Sequence, residues 1–250
     1  MKWTRIKNIM LLFLIAMNIF MIAFIAVTTI QRSTVPEAVI EASLQVLEDA
    51  GFQCKRELFP TSYTTLPSLN TRFYSASDLS ELFFGKQLAF KTVENSLIAK
   101  EGRATLTVAG NYFYYTNGYD ADTSYSADQV KKELKKIGID MSGAVYDKAK
   151  DTFYKMYNNT NLFNMYISAQ LDSDGEICHI TAQWPKSLSP TENREISFVE
   201  SIMDVKAAFP QGGEIDNIEL GYSLLPAGGD KYNFNPAWRV EIGKEIKILE

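Results

Sequence analysis

The chain has 250 residues, 46% hydrophobic and 22% charged, with a formal net charge of −5. That is the composition of a folded protein and excludes extended disorder. Lys2, Arg5 and Lys7 are the only charges in residues 1–30, so the remainder carries 22 basic and 30 acidic residues, a net of −8. Such a balance excludes broad phosphate contact with nucleic acid and gives no sign of docking along an anionic lipid surface.

The first expected element is an apolar run from Ile9 to Ile30, interrupted only by Asn18, Thr28 and Thr29. Twenty-two helical residues span roughly 33 Å, close to the hydrocarbon thickness of a bilayer. Positive charge precedes the run and mixed charge follows it (Arg32, Glu37, Glu41). The reading is an uncleaved anchor, with 1–8 in the cytoplasm, 9–30 in the membrane and the rest outside. A cleaved signal peptide is the rival, but its apolar core is shorter, and Ala23 and Ala26 lack the spacing for cleavage. Asn18 falls mid-span and shares a helical face with Met21, Ile22 and Ile25. An amide in lipid is costly without a hydrogen-bond partner, so this face is the candidate contact with other membrane helices. The alternative is an asparagine tolerated in a hydrophobic anchor.

Beyond the anchor, three helices are expected. The first starts near Pro36, carries Ile40, Leu44, Leu47 and Ala50 on one stripe, and stops at Gly51. The second opens with the capping pattern Ser126-Ala-Asp-Gln129, buries Val130, Leu134 and Ile137, and ends at Gly138. The third lies within 196–209, with Val199, Ile202 and Met203 inward, and closes at Pro210.

Strands alternate with these helices. Residues 104–109 and 112–116 flank Gly110-Asn111, a hairpin signal. Residues 163–171 alternate strictly, turn at Asp172-Ser-Asp-Gly175, and return through Cys178, Ile180, Ala182 and Trp184. A last pair runs from Ile218–Leu224 through Gly228-Gly229-Asp230 to Trp238–Ile242. The expected class is α+β, an N-terminal transmembrane helix followed by antiparallel sheets with helices packed on one face. The polar stretch 117–125 divides the ectodomain into 31–122 and 123–250.

Few residues point to chemistry. His179 is the single histidine, with no nucleophile motif beside it, so neither a catalytic residue nor a catalytic site is expected. No short-spaced ligand pair supports a metal, and no glycine-rich phosphate loop supports a cofactor. Asp172-Ser-Asp174-Gly175-Glu176 is read as a turn rather than part of a calcium loop. Tyr112-Phe113-Tyr114-Tyr115 is aromatic enough to bind sugar or nucleic acid, but such a run is more often one half of a hairpin packed into a core. Lys131, Lys132, Lys135 and Lys136 read as the solvated side of the second helix. Cys54 and Cys178 are either one extracytoplasmic disulfide or two unpaired small hydrophobes.

Two ends of the chain resemble the YycI family, membrane-anchored regulators of the Yyc/Wal cell-wall two-component system of Gram-positive bacteria. At the start, Met1-Lys-Trp3-Thr-Arg5-Ile-Lys7-Asn-Ile9 runs directly into the apolar segment. At the end, Tyr222 and Asn235-Pro236-Ala-Trp238-Arg239-Val240 are similar to that family's final hairpin. The resemblance implies a regulator without catalysis. Its partners would be a WalK-like sensor histidine kinase and a YycH-like companion, contacted through membrane helices and ectodomains. It also implies that Lys2, Trp3, Arg5 and Lys7 set depth and orientation against membrane lipid, with Trp3 at the interface. The same final hairpin is similar to extracytoplasmic PepSY-type and YpmB-type binding modules, which leaves a binding or inhibitor module as the alternative.

Overall fold

A computed structural model of the protein describes residues 11, 13–22, 34–228 and 231–249. Residues 11 and 13–22 are helical. Next come α1 (Glu37–Asp49), β1 (Phe52–Cys54), β2 (Thr64–Phe73), α2 (Ala76–Phe84), β3 (Lys91–Val93), β4 (Ser96–Glu101), β5 (Ala104–Ala109), β6 (Tyr112–Thr116) and α3 (Ala127–Lys136). The second half holds β7 (Ala144–Asp147), β8 (Thr152–Tyr157), β9 (Thr160–Leu171), β10 (Ile177–Gln183), β11 (Pro185–Ile196) and α4 (Ile202–Ala208). It ends with β12 (Gly213–Ile215), β13 (Asn217–Pro226), β14 (Tyr232–Ile242) and β15 (Glu245–Leu249). The class is α+β with a mostly antiparallel sheet.

The chain forms two compact units. The first gathers residues up to Leu66 with Glu195–Ile218 and Val240–Leu249; the second gathers Pro67–Arg194 and Glu219–Arg239. The stretch 117–125 lies inside the second unit, and β6 before it pairs with β10 after it.

In the first unit, α1 buries Ile40, Ser43 and Leu47. β1 pairs in parallel with β12, Phe52 opposite Gly213. Phe59 meets Phe198 edge-on at 5.5 Å between ring centres. The expected inward set of the third helix is corrected at Met203, which is 68% exposed. A 3-10 turn over Phe198–Ser201 precedes α4. Its tighter winding rotates the inward face onto Phe198, Ile202 and Val205.

In the second unit the strands run in the order β11-β2-β14-β13-β9-β10-β6-β5-β4-β3, with β8 and then β7 branching from β9. Within this mostly antiparallel order, β13 runs parallel to β9, Gly221 opposite Asn161 and Tyr222 opposite Leu162. One face of the sheet packs on α2 and α3. Leu79, Leu106, Phe113, Leu134, Ile167, Ile180 and Trp184 form its core. Both helices open with a reciprocal capping box, Ser75 with Asp78 and Ser126 with Gln129. The hairpin between β8 and β9 turns on Asn158 and Asn159, both at positive φ (47° and 63°). A two-residue primed turn requires that backbone, and asparagine tolerates it.

Candidate functional site

Among the described residues, no helix is long and apolar enough to cross a membrane. Of the expected span 9–30, residues 9, 10, 12 and 23–30 lie outside the described residues, as do Lys2, Trp3, Arg5, Lys7 and Ile25. What is described is an exposed apolar helix: Phe13 is 70% exposed, Phe20 66% and Ile22 68%. Leu14, Met17, Ile19 and Met21 are exposed as well, so apolar side chains surround the helix on every side. The Asn18 side-chain amide donates to the Leu14 carbonyl one turn earlier at 2.9 Å. That bond satisfies one of its two N–H groups within its own helix and leaves the side-chain oxygen as an acceptor for a neighbour.

The aromatic run at 112–115 divides between the two faces of the sheet. Phe113 and Tyr115 are buried under α2, where Tyr115 stacks on Phe83 at 4.2 Å between ring centres. Burial pushes the Tyr115 phenol above its ordinary value. Tyr112 and Tyr114 stand on the opposite face, 45% and 40% exposed.

Strand register extends that outer face into three rows. Thr105, Thr116, His179 and Gln170 are cross-strand neighbours. Thr107, Tyr114, Thr181 and Ser168 form the next row. Ala109, Tyr112, Gln183, Tyr166 and Tyr154 form the third, across β5, β6, β10, β9 and β8. Not one of these thirteen positions is Asp, Glu, Lys or Arg. His179 lies half-buried beside Tyr114, whose hydroxyl is 3.5 Å from the imidazole Nδ1. Gln183 is 5% exposed, and its side-chain oxygen has no hydrogen-bond partner among the described residues. Sequence alternation marked Tyr112 and Tyr114, but nothing local placed Tyr154, Tyr166 and Gln183 beside them.

A cleft of ≈ 490 Å³ lies at the other end of β8, lined by residues including Asp140, Ser142, Lys155 and Asn159. Lys155 stands on the core side of β8, with its side chain 3% exposed. Its ammonium donates to the Asp140 carboxylate at 3.0 Å and to the Ser142 carbonyl at 2.7 Å, and lies 5.1 Å from the Trp184 ring centre. Burial pushes Lys155 below its ordinary pKa, against the pull of the ion pair with Asp140. Burial alone would raise Asp140, but the Ser142 backbone N–H and hydroxyl, together with Lys155, hold it low. Ser142 Oγ is 3.4 Å from the ammonium and donates to Asp140 at 2.7 Å. The lysine clamps the 140–143 loop, and the Ser142 hydroxyl directs its proton to Asp140 rather than to the amine.

Asp172 accepts the N–H groups of Asp174 and Glu176, both at 3.0 Å, and the Asn117 side-chain amide at 3.0 Å, so its carboxylate closes the β9–β10 turn. No metal-ligating cluster occurs among the described residues. Cys54 and Cys178, the candidate disulfide, are free thiols here. Cys54 donates to the Lys55 carbonyl at 3.6 Å, and the fully buried Cys178 donates to Gln170 at 3.4 Å. Tyr222 and Trp238 of the final hairpin are buried at 0% and 5% exposure, and Arg239 pairs with Glu219 at 2.6 Å. Burial pushes the Tyr222 phenol up to about 12.

No family model matches the chain, and no curated protein matches it. Among solved structures it is similar to a crystal structure of an uncharacterized protein from Eubacterium rectale, at 10% identity and a TM-score of 0.42. The match covers 79% of this chain and 85% of that one.

Proposed function

We propose that the chain is a non-enzymatic, membrane-anchored regulator of a cell-wall sensor histidine kinase, similar to the YycI family. In this reading the N-terminus is cytoplasmic, one helix spans the membrane, and both compact units lie outside. The observation that carries it is the helix at residues 13–22, whose large apolar side chains are exposed on every side. Such a surface is costly in water and stable only against lipid or other apolar helices. Its basic flank and the two stretches that resemble the family supply the rest of the support.

Regulation would be a coupling free energy. If the span and the outer units bind one kinase state better than the other, the population moves toward that state. The Asn18 face, with Met21, Ile22 and Ile25, is the proposed contact with the spans of the kinase and its YycH-like companion. A polar bond between helices in lipid is worth about 0.6–2 kcal/mol.

The test is purification of the full-length protein from its native membrane in mild detergent, beside a form with an unrelated anchor. A sensor kinase recovered with the native anchor and lost with the swapped one supports the reading. Recovery of neither kinase nor companion in both forms overturns it. Asn18→Leu should lower kinase recovery, and unchanged recovery would remove Asn18 from the contact. A second reading, an extracytoplasmic binding module, is favoured by the uncharged tyrosine face of the second unit.

A further inference from the structure

The geometry points to the outer face of β8, β9, β10, β6 and β5 as a binding site for a neutral oligosaccharide. This goes beyond the regulatory reading and does not depend on how the chain is anchored. The first ground is composition. Protein surfaces are roughly a quarter to a third charged, so about three or four of thirteen outward positions should carry charge, yet none does. Within the three rows no cation meets a phosphorylated or acidic ligand and no anion meets a cationic one, while Lys100 on β4, opposite Thr105, stands at the edge. A lipid is disfavoured because hydroxyl and amide groups interrupt the aromatic surface.

The second ground is an unpaired polar atom. Gln183 sits between Tyr112 and Tyr166 in one cross-strand row, is 5% exposed, and leaves its side-chain oxygen unbonded. A buried acceptor without a donor is costly, and a ligand hydroxyl or amide N–H relieves that cost. Tyrosine rings on either side offer π faces to the weakly positive C–H edges of a pyranose, while their hydroxyls reach its oxygens.

The third ground is size. Four strands with three outward residues each, plus Tyr154 on a fifth, spaced about 4.8 Å across and 6.8 Å along the strands, fit within roughly 19 by 14 Å. That is about 270 Å², well short of the ~800 Å² per partner typical of stable protein interfaces. It suits a few sugar rings laid along the row from Tyr112 to Tyr154. Lys150, whose ammonium lies 5.4 Å from the Tyr154 ring centre, marks the charged rim at that end.

The experiment is calorimetric titration of the full chain, held in a detergent without a sugar headgroup, with chitotetraose and separately with cellotetraose. Saturable binding of at least one tetrasaccharide is expected, and the stronger one assigns the source as an N-acetylhexosamine or a plain glucose chain. Tyr112→Ala and Tyr166→Ala should each weaken it tenfold or more. Gln183→Leu should weaken it at least threefold without lowering the thermal midpoint, because it removes a buried acceptor that has no partner. Tyr119→Ala, an exposed tyrosine away from the three rows, should leave binding unchanged. No saturable binding of either sugar, or binding indifferent to both Tyr112→Ala and Gln183→Leu, overturns the proposal. Self-association that is abolished by Tyr112→Ala, in the absence of sugar binding, also overturns it and reassigns the face to a protein contact.

Discussion

Lys155 and Asp140 form an ion pair whose halves lie in different surroundings. The lysine side chain is 3% exposed and the aspartate 48%, with 3.0 Å between their charged atoms. Removing either partner therefore has unequal consequences. Asp140→Ala leaves a buried ammonium on two backbone carbonyls and the Ser142 hydroxyl and should cost about 1–2 kcal/mol, the usual buried-pair loss reduced for the exposure of the aspartate. Lys155→Met removes the desolvated charge and leaves a carboxylate that water can reach, so it should cost less, about 0–1 kcal/mol. Urea unfolding of both variants checks the order, and a larger loss for Lys155→Met would contradict it.

Asp78 governs an acid-sensitive contact at the start of α2. Burial alone would raise its pKa, but Lys186 at 2.6 Å and the Ser75 N–H at 3.0 Å hold it lowered, at about 2. The folded value lies below the ordinary 3.8, so the unfolded chain binds the proton more readily. The contribution is complete above about pH 4 and is lost as the pH falls from there to about 2. Urea midpoints measured between pH 5 and pH 2 should fall more steeply for the native protein than for Asp78→Asn. Equal slopes would show that the carboxylate adds nothing.

The thiols should react in two separated phases. Cys54 is half-buried and Cys178 is fully buried, and burial pushes both above the ordinary thiol value. With a soluble aromatic disulfide reagent at neutral pH, Cys54 should react slowly and Cys178 only after denaturation. Two thiols reacting together in the native state, or none after unfolding, would contradict the free and buried assignments.

Gly221 is where β13 packs against Phe163 and Asn161 of β9. A Cβ there would meet the Phe163 ring and approach the Asn161 carbonyl at 2.8 Å. Its backbone is ordinary, so the requirement is space rather than φ. Gly221→Ala should cost about 1–3 kcal/mol through overpacking and lower the thermal midpoint. An unchanged midpoint would mean that the two strands can part without loss.

Where sequence and structure agree, the signal spans few residues. The hairpin turns at Gly110-Asn111 and at Asp172–Gly175, the capping box at Ser126 and the stop at Gly51 all appear as expected. α2 carries a weaker local signal: Ser75 and Asp78 form a capping box with aspartate in place of the usual Glu or Gln, and Gly85 closes the helix in the left-handed conformation. β11 offered nothing to read. It is the edge strand of its sheet, with most of its residues exposed, so no apolar alternation marks it.

The sequence by itself determined three of the helices, three strand pairs and the inward or outward side of most residues in those strands, because caps, turns and alternation act over three or four positions. It also determined the apolar N-terminal segment and the acidic remainder. Only the tertiary structure decided that β6 lies beside β10, that each compact unit gathers distant stretches of chain, and that Tyr112, Gln183, Tyr166 and Tyr154 share one row. It likewise decided that a lysine in an ordinary alternating strand is buried against Asp140 and Trp184. Alternation gives a residue its face, but its neighbours on that face belong to strands tens of residues away, and the register that aligns them is set by packing of the whole sheet.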